Sequence, residues 1–306
     1  MKLFKKIFVV LEPQRQDQPA LERAAYLAKA TDASLHLFVC AYDTAIGIAT
    51  FMSGTHRKNI IRTVVDGNKV MVDRLAAPLL DDGIELTTEV VWDRRPSEAI
   101  VNALNRTECD LLMKLTTVHS RVPEVIFSHV DWNILRYAHC PVLLVKSGQW
   151  DEIGQVLAAV NAAPEDTIHQ ELNTLILDTA RNLAQGLDFE MHLVSAYPAP
   201  PVFVPIASGA SHPINYRRKM QQMVQTNIGK LADKYLVTSE HIHLVEGPVD
   251  WVIPKISREI VAEFVVLGTV ARQGVGGITL GNTAEHILDK LNCDVMVVKI
   301  ADQSDA

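Results

Sequence analysis

Ile134–Lys146 reads ILRYAHCPVLLVK, and Ile287–Lys299 reads ILDKLNCDVMVVK. Each runs from the end of a helical period, through a cysteine, into four apolar residues and a lysine. Further matches precede them in the same order. "CDLLMKLT" at Cys109–Thr116 answers "EFVVLGTV" at Glu263–Val270, and "VVWDRRPSEAI" at Val90–Ile100 answers "HLVEGPVDWVI" at His243–Ile253. "LFVCAY" at Leu37–Tyr42 answers "HLVSAY" at His192–Tyr197, and "FVVLEP" at Phe8–Pro13 answers "LAAVNA" at Leu157–Ala162. The offset stays near about 150 residues, so the chain is a duplicated domain. The copies are read as residues 1–148 and 153–306, joined by the polar stretch "SGQWDE" at Ser147–Glu152. A length of 306 residues agrees with two domains of roughly 150 residues each.

Within each copy, short apolar runs alternate with helical periods. Leu21–Ala30 and Leu172–Ala184 repeat apolar residues at i, i+3 and i+4, and Arg57–Leu80 and Tyr216–Tyr235 are longer helices of the same kind. Ser97 and Asp250 are read as matched helix N-caps. The runs "FVVL", "LLM", "VLLV", "FVVL" and "VMVV" are apolar at every position, which marks strands of a parallel sheet covered on both faces. The fold class is therefore α/β: two tandem doubly wound domains, each an open five-stranded parallel sheet with helices on both faces. In such sheets a ligand binds at the carboxyl ends of the strands, near the switch point.

The net charge is −7 and no long run of like charge occurs, so no nucleic-acid or anionic-membrane partner is expected. "MKLFKKIFVVLEP" imitates a signal peptide, but its apolar run, Ile7–Leu11, falls short of the roughly 7–15 residues a signal needs. No stretch approaches the roughly 20 apolar residues of a membrane span, and a cytoplasmic protein is expected. Cys40, Cys109, Cys140 and Cys293 form no CxxC pair and are read as buried free thiols in a reducing compartment.

The stretch that carries chemistry is "GTVARQGVGGITLGNTAEH", Gly268–His286, between the apolar run "EFVVL" and a helix. Gly268 reads as the strand end, bare enough for a ligand to come close, and Gly274, Gly276 and Gly277 keep the loop free of side chains. Gly281, Asn282 and Thr283 open the helix, whose free N–H groups attract an anion, and Arg272 can add a charged donor. It is no P-loop, since Asn282 stands in place of the lysine, and GxGxxG is not completed.

A strand followed by G-x-x-G, nine residues and G-[ST] opening a helix resembles the universal stress protein (UspA-type) family, and the duplication resembles its tandem-domain E type. The resemblance covers nearly the whole chain. It implies stress response rather than catalysis, with ATP as the cofactor of the second half alone. It places the binding residues at Val160, Asn161, Ala196, Gly268, Thr269, Ala271, Arg272, Gly281, Asn282 and Thr283. Three departures weaken that site: Ala271 replaces the second glycine, Asn282 the serine or threonine, and Asn161 the strand-end aspartate. The first half departs further. Lys114 stands where Gly268 does, Ser128 where Gly281 does, Glu12 replaces the aspartate, and Pro123, Val125, Ile126 and Phe127 crowd a loop without glycine. The resemblance also implies that "VLLVK" and "VMVVK" pair within one chain as an internal pseudo-dimer, and it leaves a further homodimer open.

No G-x-S-x-G elbow and no set of nucleophile, base and orienter can be assembled, so no enzyme is expected, with slow ATP hydrolysis the weakest alternative. His119, His129, His139, His241 and His243 have no cysteine or carboxylate at ligand spacing and are read as surface or capping residues, with no metal. "YPAPPVFVPIASGASHP" at Tyr197–Pro213 and "YDTAIGIATFMSG" at Tyr42–Gly54 are unusually apolar for loops. They support a second reading, a binder of an apolar or lipid-like small molecule.

Overall fold

A computed structural model describes residues 4–13, 15–42, 45–46, 54–116, 127–146, 150, 153–163, 166–199, 213–274, 277–279 and 282–301. The chain forms two compact units, Met1–Gln149 and Trp150–Ala306. In the first unit the strands are β1 (Lys6–Val10), β2 (Ser34–Cys40), β3 (Leu86–Val91), β4 (Leu111–Leu115) and β5 (Val142–Val145). Its helices are α1 (Pro19–Thr31), α2 (Gly54–Asp81), α3 (Pro96–Thr107) and α4 (His129–Tyr137). The second unit has β6 (Gln155–Ala159), β7 (Glu190–Tyr197), β8 (Ile242–Glu246), β9 (Phe264–Gly274), β10 (Gly277–Thr279) and β11 (Asp294–Ala301). Its helices are α5 (Thr167–Leu187), α6 (Pro213–Tyr235), α7 (Val249–Glu259) and α8 (Asn282–Leu288).

The first unit's strands stand in the order β3-β2-β1-β4-β5, and the second repeats it as β8-β7-β6-β9-β11. Every neighbouring pair within these two orders is parallel, the doubly wound arrangement expected. Its cause lies in the strands themselves. β4 and β5 are buried at every position, so neither face can meet water and both need helices. Leu21, Ala24, Leu27 and Ala28 form the buried stripe of α1, and Leu172, Ile176, Leu183 and Leu187 lie on that of α5. Burying side chains such as Phe8 and Phe38 fully contributes about 1.5–3 kcal/mol each.

The copies agree in detail. Both α1 and α5 end on an aspartate in the left-handed region, Asp32 at φ 54° and Asp188 at φ 58°, whose N–H closes on Ala28 and Ala184. The ladders also correct the alignment of the second strands. Phe8 faces His36 and Leu157 faces His192, so His36, not Leu37, matches His192. Trp150, read as linker, instead packs on the second unit, its ring 4.4 Å from Phe264 and its indole N–H 2.9 Å from Asp294 Oδ2.

The N-caps differ from expectation. Arg95 and Pro248 hold those positions, and neither caps through its side chain. Pro96, with φ preset for a helix, starts α3 a residue before Ser97, whose hydroxyl accepts from Asn133. Asp250 lies inside the first turn of α7, where it favours the helix dipole and pairs with Lys290 at 2.5 Å. Cys40, Cys109 and Cys140 are buried as expected, while Cys293 is only half-buried.

Candidate ligand site

The carboxyl end of β6 in the second unit is held by a set of polar side chains. Val160 is buried, and its N–H continues the ladder to Val194 O at 3.0 Å. At Asn161 the backbone is clamped by the buried Asn173, which accepts from the N–H at 2.9 Å and donates to the carbonyl at 2.7 Å. The Asn161 side-chain oxygen accepts from Ala163 N–H at 2.9 Å, closing a small turn. Ser195 Oγ takes the Ala162 N–H at 3.1 Å, and Asn227 donates to Ala162 O at 2.9 Å. The rim is therefore rigid without a ligand. Asn161 stands exposed on it, and Ala196 lies half-buried on the next strand, opposite Val245.

Gly268 does not serve the role the sequence assigned to it. It lies within β9 rather than at its end, paired with Val298. A β-carbon there would stand 2.6 Å from Leu172 Cγ and 2.7 Å from Ile176 Cδ1. The glycine lets α5 press onto the strand, and the space is filled by side chains of the protein itself. The loop is likewise shorter than expected. β11 runs on with β9 as far as Ala301 opposite Ala271, and β10 then folds back to pair Thr279 with Arg272 and Gly277 with Gly274. Two ladders thus take up backbone that was expected to stay free for a phosphate. Thr269 is buried in the parallel ladder opposite Lys299. Asn282 opens α8 as expected and Thr283 follows it, while Gly276 and Gly281 lie outside the described residues. At Ala271, Arg272, Asn282 and Thr283 only the backbone is described.

In the first unit the matching place is filled. Lys114 Nζ lies 3.1 Å from Glu12 Oε1 and 3.1 Å from Asp131 Oδ1, and donates to Leu115 O at 2.8 Å. Burial alone would push this ammonium down, but Asp131 and Glu12 outweigh it and hold Lys114 above the usual lysine range. Asp131 is itself buried and accepts from Ser128 N–H and Ser128 Oγ, both at 2.8 Å, completing a capping box on α4. Phe127 precedes the cap and packs 5.4 Å from Trp132, a hydrophobic staple over the same spot. The ladders correct one match: Asp110 N–H bonds Lys6 O just as Glu263 N–H bonds Gln155 O, so Lys114 matches Leu267, not Gly268. At the three matched positions the second unit carries Asn161, Leu267 and Ala284, none of them charged.

The universal stress protein family model matches this chain twice, over residues 3–146 and 169–299. This chain belongs to the universal stress protein family. Universal stress protein E of Photorhabdus laumondii is 33% identical over 98% of this chain and 96% of its own length. Universal stress protein E of Escherichia coli K12 is 33% identical over 98% and 95%. Among solved structures, a Pseudomonas aeruginosa PAO1 protein described as functionally unknown is 28% identical, with a TM-score of 0.78 over 97% of this chain and 92% of that one.

The two universal stress protein domains differ most in residues that no sequence motif announces. Lys114 and Glu12 could be noted as departures, but Asp131, which joins them, lies 17 positions beyond Lys114 inside a helix. Among the histidines, His241 and His243 are half-buried rather than on the surface. Sheet register puts Glu190 and His192 of β7 beside His241 and His243, so carboxylate and imidazole meet although they are about 50 residues apart. His129 and His139 do take local roles, beside Asn133 and Asn105.

Proposed function

We propose that this universal stress protein is a non-enzymatic, cytoplasmic binding module of the stress response, whose second unit takes a nucleotide of the ATP class at the carboxyl ends of β6, β7 and β9. The observation that carries this reading is the contrast at three matched positions. Glu12, Lys114 and Asp131 fill the first crevice with their own ion pairs, whereas Asn161, Leu267 and Ala284 leave the second without fixed charge. A preformed rim supports the reading, because Asn173, Ser195 and Asn227 already hold residues 161 and 162 and little ordering is left for a ligand to impose. Val160, Asn161 and Ala196 would meet the nucleoside, and the backbone entering α8 would meet the phosphates. Because Gly268 is closed by Leu172 and Ile176, that contact would be made beyond β9 rather than at this glycine. Largely buried cysteines without a CxxC pair fit a reducing compartment. The apolar segments behind the second reading lie mostly outside the described residues, so no observation favours it here.

Native mass spectrometry and ATP titration of the full chain test the proposal. One saturable ATP per chain is expected, weakened at least about tenfold by Asn161→Glu, which copies the first unit's charge and repels the triphosphate. Retention of ATP by that variant, a co-purifying acyl mass without ATP response, or steady ATP turnover would each overturn it.

A further inference from the structure

Five positions at the amino end of the second unit's sheet share one face: Gln155 on β6, Glu190 and His192 on β7, His241 just before β8 and His243 on it. His192 is buried, His241 half-buried and Glu190 exposed, so the group opens to solvent on one side. Gln155 Oε1 lies 2.6 Å from His192 Nε2. The amide oxygen accepts only, so Nε2 carries the proton and His192 Nδ1 presents a lone pair. That lone pair faces His243 Nε2 at 3.0 Å, and one proton is shared between two nitrogens. The His241 ring lies 4.1 Å from that of His192, and its Nε2 is 3.7 Å from Glu190 Oε2.

We propose that Glu190, His192, His241 and His243 form a site for a divalent transition-metal ion of the zinc class, in which the cation replaces the proton between His192 and His243. Bond lengths near 2.0–2.2 Å place the ligand atoms of a tetrahedral zinc site about 3.3–3.5 Å apart. One ligand atom each of Glu190, His192 and His241 already lies within 4.8 Å of the others, and the His192–His243 contact needs to open only slightly. Side-chain rotation is needed to bring His243, which is not in that three-residue group, into the shell. His243 moves its proton from Nε2 to Nδ1 when it binds, so no proton is released at that residue. Three imidazoles and one carboxylate suit zinc or cobalt rather than magnesium or calcium, which take all-oxygen shells. Gln155 stands where the outer partner of a metal-bound histidine belongs, fixing its tautomer and aim. Burial, with His241 and His243 nearby, holds His192 down at about 4, so it is an uncharged donor at neutral pH.

The first unit supplies an internal control. Its matched positions are Lys6, Ser34, His36, Thr87 and Glu89. A single imidazole remains there, His36, bonded to Thr87 at 2.8 Å, and a lysine replaces the glutamine. One metal per chain follows, bridging β7 to the edge strand β8.

Untagged full-length chain, stripped with chelator, would be titrated with CoCl2 by visible absorption and with ZnCl2 by calorimetry. One equivalent with a tetrahedral cobalt spectrum is expected, together with a rise in the melting temperature. Because His192 is buried and its loss could unfold the unit, the test uses His241→Ala and Glu190→Gln, each checked for folding by circular dichroism before metal is added. Each should weaken binding at least about tenfold, and Gln155→Leu about 10–100-fold, while His36→Ala should leave it unchanged. Absence of stoichiometric binding in the wild type, or wild-type affinity in the His241→Ala/Glu190→Gln double variant, would overturn the proposal.

Discussion

At the carboxyl end of the first unit's sheet, Glu12, Lys114 and Asp131 bring three charges together, while the second unit holds Asn161, Leu267 and Ala284 in the same places. The strands behind them are alike, buried and parallel in the same order. The difference shows how a duplicated fold can diverge at its strand ends without disturbing its core. A lysine buried there needs carboxylates around it, so Lys114, Glu12 and Asp131 stand or fall together. Gly268, the residue after that position and on the opposite face of β9, lets α5 close onto the strand.

The largest test of this contrast is Lys114→Met. It removes the cation from a nearly fully buried Asp131 and should cost the first unit about 3–5 kcal/mol. Denaturant unfolding of the full chain would show the first unit's transition moving and the second's unchanged. A loss below about 1 kcal/mol would mean the ion pairs are not coupled to the fold.

Acid separates the units next. His192 has a folded value of about 4, against about 6.5 when unfolded, because burial first and then His241 and His243 oppose its charge. Neutral His192 therefore contributes stability that is present in full above about pH 6.5 and is lost as pH falls through about 4. The linkage amounts to on the order of 3 kcal/mol. Replacement by glutamine should flatten that acid limb in melting curves taken between those pH values.

Smallest is Gly268→Ala. Its new methyl meets Leu172 and Ile176, and overpacking of this kind costs about 1–3 kcal/mol. A thermal shift confined to the second unit would sharpen the contrast. Loss of ATP affinity at unchanged stability would instead restore Gly268 to the binding site.

Much of the fold was legible before any coordinates. Runs such as VLLV and VMVV are apolar at every position, as strands of a parallel sheet covered on both faces are. Helix starts were less legible, because Pro96 competes with Ser97 and proline's fixed φ prevails. The glycine at position 268 was correctly singled out but wrongly explained. A missing side chain looks the same in sequence whether a ligand or a helix fills the space.

By itself, the sequence determined the duplication, the strand and helix order, and the place where the two copies differ, since these follow from local periodicity and self-similarity. The tertiary structure alone decided what the differing residues do. Lys114 meets Asp131 because α4 delivers it, β9 continues because β11 and β10 pair with it, and three histidines meet a glutamate because parallel register aligns separate strands. Periodicity acts along the chain, whereas ion pairs, ladders and ligand clusters act across it.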